Sequence, residues 1–460
     1  MNGQVHPRSI FMRSLIGLGA ALVLSACSAT TIQPVAKQPV SVRFAAGVPQ
    51  AGDAIDVGWW SQLDDAELNE LLRLANQSSP SLRTAAASVM RARAAAGQSA
   101  ADLFPDLTGG ADSSVAGGQN SARRTTNAAS LDASWELDLF GRARQSAAAS
   151  RLSAAAEDAA FSGAFISLSS EVADTYVQYR ACRLVEAIYR QAIASQAETI
   201  KATGELAAAG FSPSSDRSLA NANAASAAIS LETQRADCRV LAQTLAVSVG
   251  APQGRIDSIL ATGGGLPSPK AFRITSAPVE ALRQRPDVAE AELDFASAMA
   301  TMGAAKADLY PSLSLSGSVT VSDPTSWSFG PAISLPIFDG GERRASVRVA
   351  NAEAITAAEA YRTTVLTAVS EVEGALTRLN AARASGASAR TAVAGYREYF
   401  GAVDEIWQAG GETLLNREEA RRTLQSAQIT EVQQREAEVR QWIALYKAAG
   451  GGWKRAGVAG

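Results

Sequence analysis

Nothing between Gly141 and Ala209 would stop a helix: proline is absent and glycine is sparse. The same holds from Gly341 to Gln408, at an offset of 200 positions. Either run, continued as one helix, would be about 100 Å long at 1.5 Å per residue. Helices of ordinary single domains are only a few turns long. Each run ends in a turn, Gly210-Phe211-Ser212-Pro213 in the first and Ala409-Gly410-Gly411-Glu412-Thr413 in the second. A return helix is expected after each, to about Val249 and Ala449. The two turns align: Ala209-Gly210 with Ala409-Gly410, Arg217 with Arg417, Ala220 with Ala420.

A second feature is also duplicated. Ala101-Asp102-Leu103-Phe104-Pro105-Asp106-Leu107 returns 206 positions later as Ala307-Asp308-Leu309-Tyr310-Pro311-Ser312-Leu313. An alanine-rich run precedes each copy, and a period of two follows, clearest from Ser312 to Val321. Proline lacks an N–H and crowds the preceding turn, so the helix ends there. The chain is therefore one helix–strand–strand–helix unit built twice. The first repeat spans 53–250, with a β-hairpin at 106–139 and a helical hairpin at 141–249. Its strands are expected at 106–119 and 127–139, with Gly118 to Thr126 as the loop. The connector is 251–278, carrying Gly263-Gly264-Gly265. The second repeat spans 279–460. It opens on a short helix from Ala277 to Arg283, then a helix with Pro286 in its first turn. Strands at 312–322 and 326–337 and a helical hairpin at 341–449 follow.

The first 26 residues have the form of a signal peptide. Arg8 and Arg13 precede a short apolar core, Leu15 to Leu24, and Leu24-Ser25-Ala26-Cys27 closes it. This tetrapeptide resembles the lipobox of bacterial lipoproteins, which implies cleavage before Cys27 and a diacylglyceryl thioether on its sulfur. Ser28 in the next position fits delivery to the outer membrane. The alternative is an ordinary secreted protein. Residues 27–52, with Pro34, Pro39 and Pro49, form an extended leader. Trp59-Trp60 opens the folded part, and Asp64-Asp65 caps a helix with Leu68, Leu71 and Leu72 on one face.

Beyond residue 27 no apolar stretch approaches the roughly 20 residues a spanning helix needs. A membrane crossing would then require a closed β-barrel, because open sheet edges are not tolerated in lipid. Four strands per chain cannot close one, since a small barrel needs about eight. The barrel must be shared between chains. The alanine-rich helices suit a wall one helix thick. An ordinary coiled-coil rod would need a sustained heptad, which is not found through 141–209. An edge strand of a soluble sheet is the other reading of the serine-rich segment.

At these residues the chain resembles the outer-membrane factor family of TolC/OprM-type ducts, and most of all its NodT-type efflux lipoproteins. The matching stretches are Trp60 with Asp65 and Leu68, Ala101 to Leu107, Arg285-Pro286-Asp287-Val288, Ala305 to Gly317, Pro336 to Gly341, and Leu445-Tyr446-Lys447 with Gly450-Gly451-Gly452-Trp453. They cover almost the whole mature chain in order. The resemblance implies an α+β membrane protein and a homotrimer. Its 12-stranded barrel in outer-membrane lipid stands on a long periplasmic α-helical barrel. It also implies a periplasmic adaptor and an inner-membrane pump of the RND type as partners. The function implied is an exit duct for drugs or other small toxic solutes. A duct for protein secretion and a non-conducting envelope scaffold are the alternatives.

Residue chemistry points the same way. The net charge of −3, with no basic block, argues against nucleic acid as a partner. The only histidine, His6, falls in the signal peptide. No phosphate loop and no metal-spaced His/Cys set is visible, so no catalytic residue, metal or cofactor is expected. Cys182 and Cys238 lie on opposite arms of the first helical hairpin at nearly the same height, which makes them a disulfide candidate. Two buried thiols are the alternative. The hairpin tips are the candidate aperture and docking surface: Gly210, Phe211, Gly410, Gly411, Glu412, Glu418 and Glu419. The resemblance puts the family's pore aspartate at Glu419, although Asn416-Arg417-Glu418-Glu419 departs from the usual leucines and aspartate. The other reading of Glu418, Glu419, Arg417, Arg421 and Arg422 is an exposed charged helix face.

Overall fold

The computed structural model describes residues 60, 63–119, 121–268 and 284–453. The signal peptide, Cys27, the leader, Trp59 and the short helix expected at Ala277–Arg283 lie outside the described residues.

The elements run α1 (Ala66–Ser78), α2 (Pro80–Ala101), β1 (Asp106–Gly118), β2 (Ser121–Leu137), α3 (Arg142–Ala208), α4 (Ser214–Val249), α5 (Gln253–Leu260), α6 (Pro286–Ala307), β3 (Ser312–Val321), β4 (Ser326–Ser334), α7 (Glu342–Gln408) and α8 (Leu414–Ala448). The helix–strand–strand–helix order thus occurs twice, and α3 and α7 are each 67 residues long. Among the described residues, both helices start in one compact unit (90–119, 121–156 and 291–361) and continue into a second (60, 63–89, 157–268, 284–290 and 362–453).

The first unit holds a four-stranded antiparallel sheet in the order β1-β2-β3-β4. Both hairpins lie side by side through the β2–β3 pair, where Leu137 faces Leu313 and Ala129 faces Val321. Three corrections to the sequence reading belong here. β2 begins at Ser121 rather than at 127, because β-branched Thr125 and Thr126 pair with Val115 and Ser114 and carry the strand onward. The loop expected across Gly118–Thr126 is therefore much shorter. β4 stops at Ser334, ahead of Pro336, which offers no N–H to a ladder. Pro331 lies within β4, opposite Leu315 of β3.

The second unit has the main apolar core. Asp65 caps α1, its Oδ1 accepting from Leu68 N at 2.9 Å. Leu68, Leu71, Leu72 and Ala75 then recur at helical spacing and are buried. They pack with Val172, Tyr176 and Val177 of α3, Leu245 and Val249 of α4, and Ile256, Ile259 and Leu260 of α5. Helix α5 corrects the loop reading of the connector. Pro252 precedes its first turn, and Ile256, Ile259 and Leu260 give one apolar face.

The two return helices end alike. Gly250 and Gly450 both have left-handed backbone, with φ of +73° and +92°. A Cβ at Gly250 would meet Ser78 O at 2.5 Å, and one at Gly450 would meet Gln284 O at 2.6 Å. In each repeat the return helix therefore docks against the residue two before a helix-starting proline, Pro80 or Pro286.

Candidate functional site: a two-faced sheet and two hairpin tips

Side chains alternate across a strand, so register decides which residues share a face. Leu107 pairs with Ala133, Leu131 with Val319, Leu315 with Pro331, Gly317 with Phe329 and Val319 with Trp327. Up to the Ala116–Arg124 pair, beyond which the β1–β2 register shifts, one face of the sheet is therefore built of odd-numbered residues. It carries Leu107, Leu131, Trp135, Leu315, Trp327 and Phe329 among others. The even face carries Ser312, Ser314, Ser316, Ser318, Ser326 and Ser328 on β3 and β4. On β1 and β2 it carries Thr108, Asp112, Thr126 and Asp132. Large apolar groups stand uncovered: Trp327 is 79% exposed, and Phe329, Ile333 and Val321 are also exposed. An apolar outer face and a hydroxyl-lined inner face suit lipid on one side and water on the other. Of the two tryptophans on the strands, Trp135 and Trp327, Trp327 is on the apolar face in the open. Trp135 packs by its polar end, Nε1 donating to Leu103 O at 3.1 Å.

All four strand ends that join helices lie at one end of the sheet, as the pairs Asp106–Ser134, Leu137–Leu313 and Ser312–Ser334 show. The duplicated junction closes this end. Phe140 stacks on Tyr310 at 4.9 Å. Arg142 bonds Glu136 at 2.8 Å, and its Nε lies 3.7 Å from Asp308. These contacts fix where strand turns to helix.

The tips of the helical hairpins share one backbone motif. Gly210 and Gly410 both have φ of +78°. Phe211 N donates to Leu206 O, and Gly411 N donates to Ile406 O, each at 2.9 Å. Such left-handed glycine caps satisfy the last carbonyls of a helix. Phe211 is 83% exposed. Glu412 accepts from Thr413 N at 2.8 Å and from Asn416 Nδ2 at 2.7 Å. The backbone bond from Thr413 and then the Asn416 amide hold its carboxyl below the usual range. Thr413 caps α8, accepting from Asn416 N at 3.2 Å.

Glu418 does not belong with this exposed group. It is 1% exposed, and its Oε2 accepts from Gln196 Nε2 of α3 and from Arg421 Nη2, each at 2.6 Å. Arg417 reaches Asp404 at 2.5 Å and Thr199 Oγ1 at 2.7 Å, and it lies over the Trp407 ring at 4.4 Å. Arg421 donates to Ala192 O at 3.0 Å. Burial pulls the Arg421 guanidinium down from its ordinary value, and Glu418 offsets part of that. The reading of Arg417 and Arg421 as an exposed face is thus corrected: both are buried, and with Glu418 they tie α8 to α3. Glu419 stays exposed and pairs with Arg422. Beside them α7 and α8 leave a groove of about 480 Å³, lined by Ala389, Ala392, Tyr396, Glu419, Arg422 and Ser426 among others. Cys182 and Cys238 form a disulfide, with Cα atoms 5.6 Å apart and 56 positions between them.

A family model described as "Outer membrane efflux protein" matches residues 71–251 and 277–451. The chain belongs to this family. Over 477 aligned residues it is 31% identical to the pyoverdine export outer membrane protein OpmQ of Pseudomonas aeruginosa, covering 96% of this chain and 98% of that protein. It is 29% identical to nodulation protein T of Rhizobium leguminosarum bv. viciae, over 88% of this chain and 87% of the other. The solved outer-membrane channel OprN superposes with a TM-score of 0.82 at 30% identity, over 90% of this chain and 96% of that one.

This outer membrane efflux protein is accordingly a homotrimeric channel. Each chain gives four strands to a shared barrel that spans the outer membrane, with a helical extension in the periplasm. It works in a tripartite system with a periplasmic adaptor and an inner-membrane pump. The sheet's open edges and uncovered apolar face are what such sharing requires.

Proposed function

We propose that the chain is a passive duct that does no chemistry of its own. It conducts small solutes delivered by the pump, and it is closed or opened at the hairpin tips. The observation that carries this is the even-numbered face of the sheet. Its row of serine and threonine hydroxyls can wet a pore without holding any one solute tightly. The mature chain has no histidine to act as a general base near neutral pH. On this reading Gly210, Phe211, Gly410, Gly411 and Glu412 surround the aperture, and Glu419 contributes charge beside it. The α7–α8 groove takes the adaptor, and an acyl anchor on Cys27 tethers the leader. The Cys182–Cys238 bond closes a 56-residue loop, and by restricting the unfolded chain it contributes on the order of 4 kcal/mol.

The test is conductance. Purified trimer in a planar bilayer should give stable ohmic openings, and a deletion strain should gain sensitivity to small toxic solutes. A trimer that inserts and stays electrically silent would instead indicate a scaffold.

A further inference from the structure

The geometry points to Arg123 as a binding site for the phosphate of an anionic glycolipid in the outer leaflet, one site per chain. The apolar face of the sheet carries a single charged residue among its described strands, and that residue is Arg123. It lies next to the last regular pair, Ala116–Arg124, where the β1–β2 register shifts. Its side is set by odd-numbered Gly117, since a Cβ placed there would lie 3.6 Å from the Arg123 Cα and 3.9 Å from its Cβ. The four acids of the strands, Asp106, Asp112, Asp132 and Glu136, all have even numbers and lie on the other face. Arg123 is exposed and makes no ion pair among the described residues.

Its height matters as much as its face. β1 and β2 run well past the end of β3, because the β2–β3 pairing stops at Ala129–Val321. Past that level the odd face gains polar groups: Ser113 Oγ donates to Asn127 Oδ1 at 2.8 Å, and Thr125 follows opposite Val115. The helices leave from the opposite end of the strands, and the helical extension is periplasmic, so this ribbon points outward. Arg123 lies fourteen positions from Leu137 at the inner end. With about 3.3 Å per residue and a tilt near 40°, that is roughly 35 Å along the barrel axis. The apolar band of such barrels is about 25 Å tall. Arg123 therefore stands about 10 Å beyond the hydrocarbon, at the level of lipid headgroups and on the side that faces them. A planar guanidinium can hold a phosphate by two parallel hydrogen bonds. Arg124, its neighbour, belongs to the inner face and provides a matched control.

The experiment is native mass spectrometry of the full, acylated trimer released from detergent. The probes are bis-phosphorylated lipid A, its dephosphorylated form and a zwitterionic phospholipid. Wild type should retain up to three phosphorylated lipids per trimer. Arg123→Gln should lower retention about tenfold, Arg123→Lys should lower it less, and Arg124→Gln should leave it within about twofold. Millimolar inorganic phosphate should not displace the lipid, which separates a lipid site from a free-phosphate site. Unchanged trimer mobility and conductance would show that the variants fold. Equal retention by Arg123→Gln, or equal retention of the dephosphorylated lipid, would overturn the assignment.

Discussion

Gln196 donates its side-chain Nε2 to Glu418 Oε2 at 2.6 Å, joining the outgoing helix of the first repeat to the return helix of the second. The two residues are 222 positions apart, and both are almost fully buried. Arg421 and Arg417 share the same carboxylate. The second hairpin is thereby latched to the first within one chain, just above the tip.

Replacing Glu418 with Ala should unlatch it. Arg421 would be left buried without a carboxylate, a loss typically worth about 3–5 kcal/mol. The expected outcome is a larger and noisier resting conductance, with faster proteolysis at the tip and an intact trimer. A quiet, wild-type trace from the variant would show that the latch does not control the aperture.

The two sheet faces should differ sharply in what they tolerate. Phe329 and Ser328 are neighbours on β4 with opposite faces. Phe329→Arg puts a cation into lipid near the middle of the band, at about 2–4 kcal/mol per chain. Ser328→Arg places it in water. Heat-resistant trimer on gels should fall for the first and persist for the second, which should instead narrow the pore and lower conductance.

Gly250 and Gly450 should resist substitution for a steric reason. Alanine at either would be strained by positive φ and would press its Cβ into a backbone carbonyl. Each change should cost at least about 1–3 kcal/mol. Urea midpoints of the trimer measure it. Gly210→Ala keeps the φ penalty, but no neighbouring atom lies within contact distance there, so it should cost less.

The repeats differ at one informative place. Glu186 is met by Arg183, Arg190 and Arg235. At an offset of 200 the three arginines persist as Arg383, Arg390 and Arg435, but Gly386 replaces the glutamate. Arg383 turns to Glu438 instead, at 3.4 Å, and Glu438 occupies the place of Cys238. A Cβ at Gly386 would lie 3.7 Å from Arg390 Nη1, which is ordinary contact. Gly386→Glu should therefore stabilise, by about 1 kcal/mol from helix propensity and somewhat less from the ion pair. An unchanged thermal midpoint would count against it.

Much of the architecture was legible because its signals are strong and local. Helices α3 and α7 could be read from the absence of proline, and β3 from its serine–leucine alternation. Gly109, Gly110 and Gly117 weaken the strand propensity of β1, and the polar residues 121–126 of β2 read as a loop from sequence alone. The tip was read less well. Arg417, Glu418 and Arg421 have the spacing of a solvated helix face, and spacing alone cannot show that another helix covers it. A signal did exist: Gln196, Thr199 and Thr203 form a polar stripe along an otherwise alanine-rich helix, and such a stripe asks for a buried partner. Helix α5 was hidden by the glycines around it, although Pro252 followed by Ile256, Ile259 and Leu260 announced it.

The parity that the sheet keeps from its helix-bearing end up to the Ala116–Arg124 pair limits how this protein can change size. Deleting one residue inside β3 would turn every later leucine toward water and every serine toward lipid. Growth or trimming of the wall must therefore come in pairs of residues, whereas the outer turn near Gln119 can lengthen by any number.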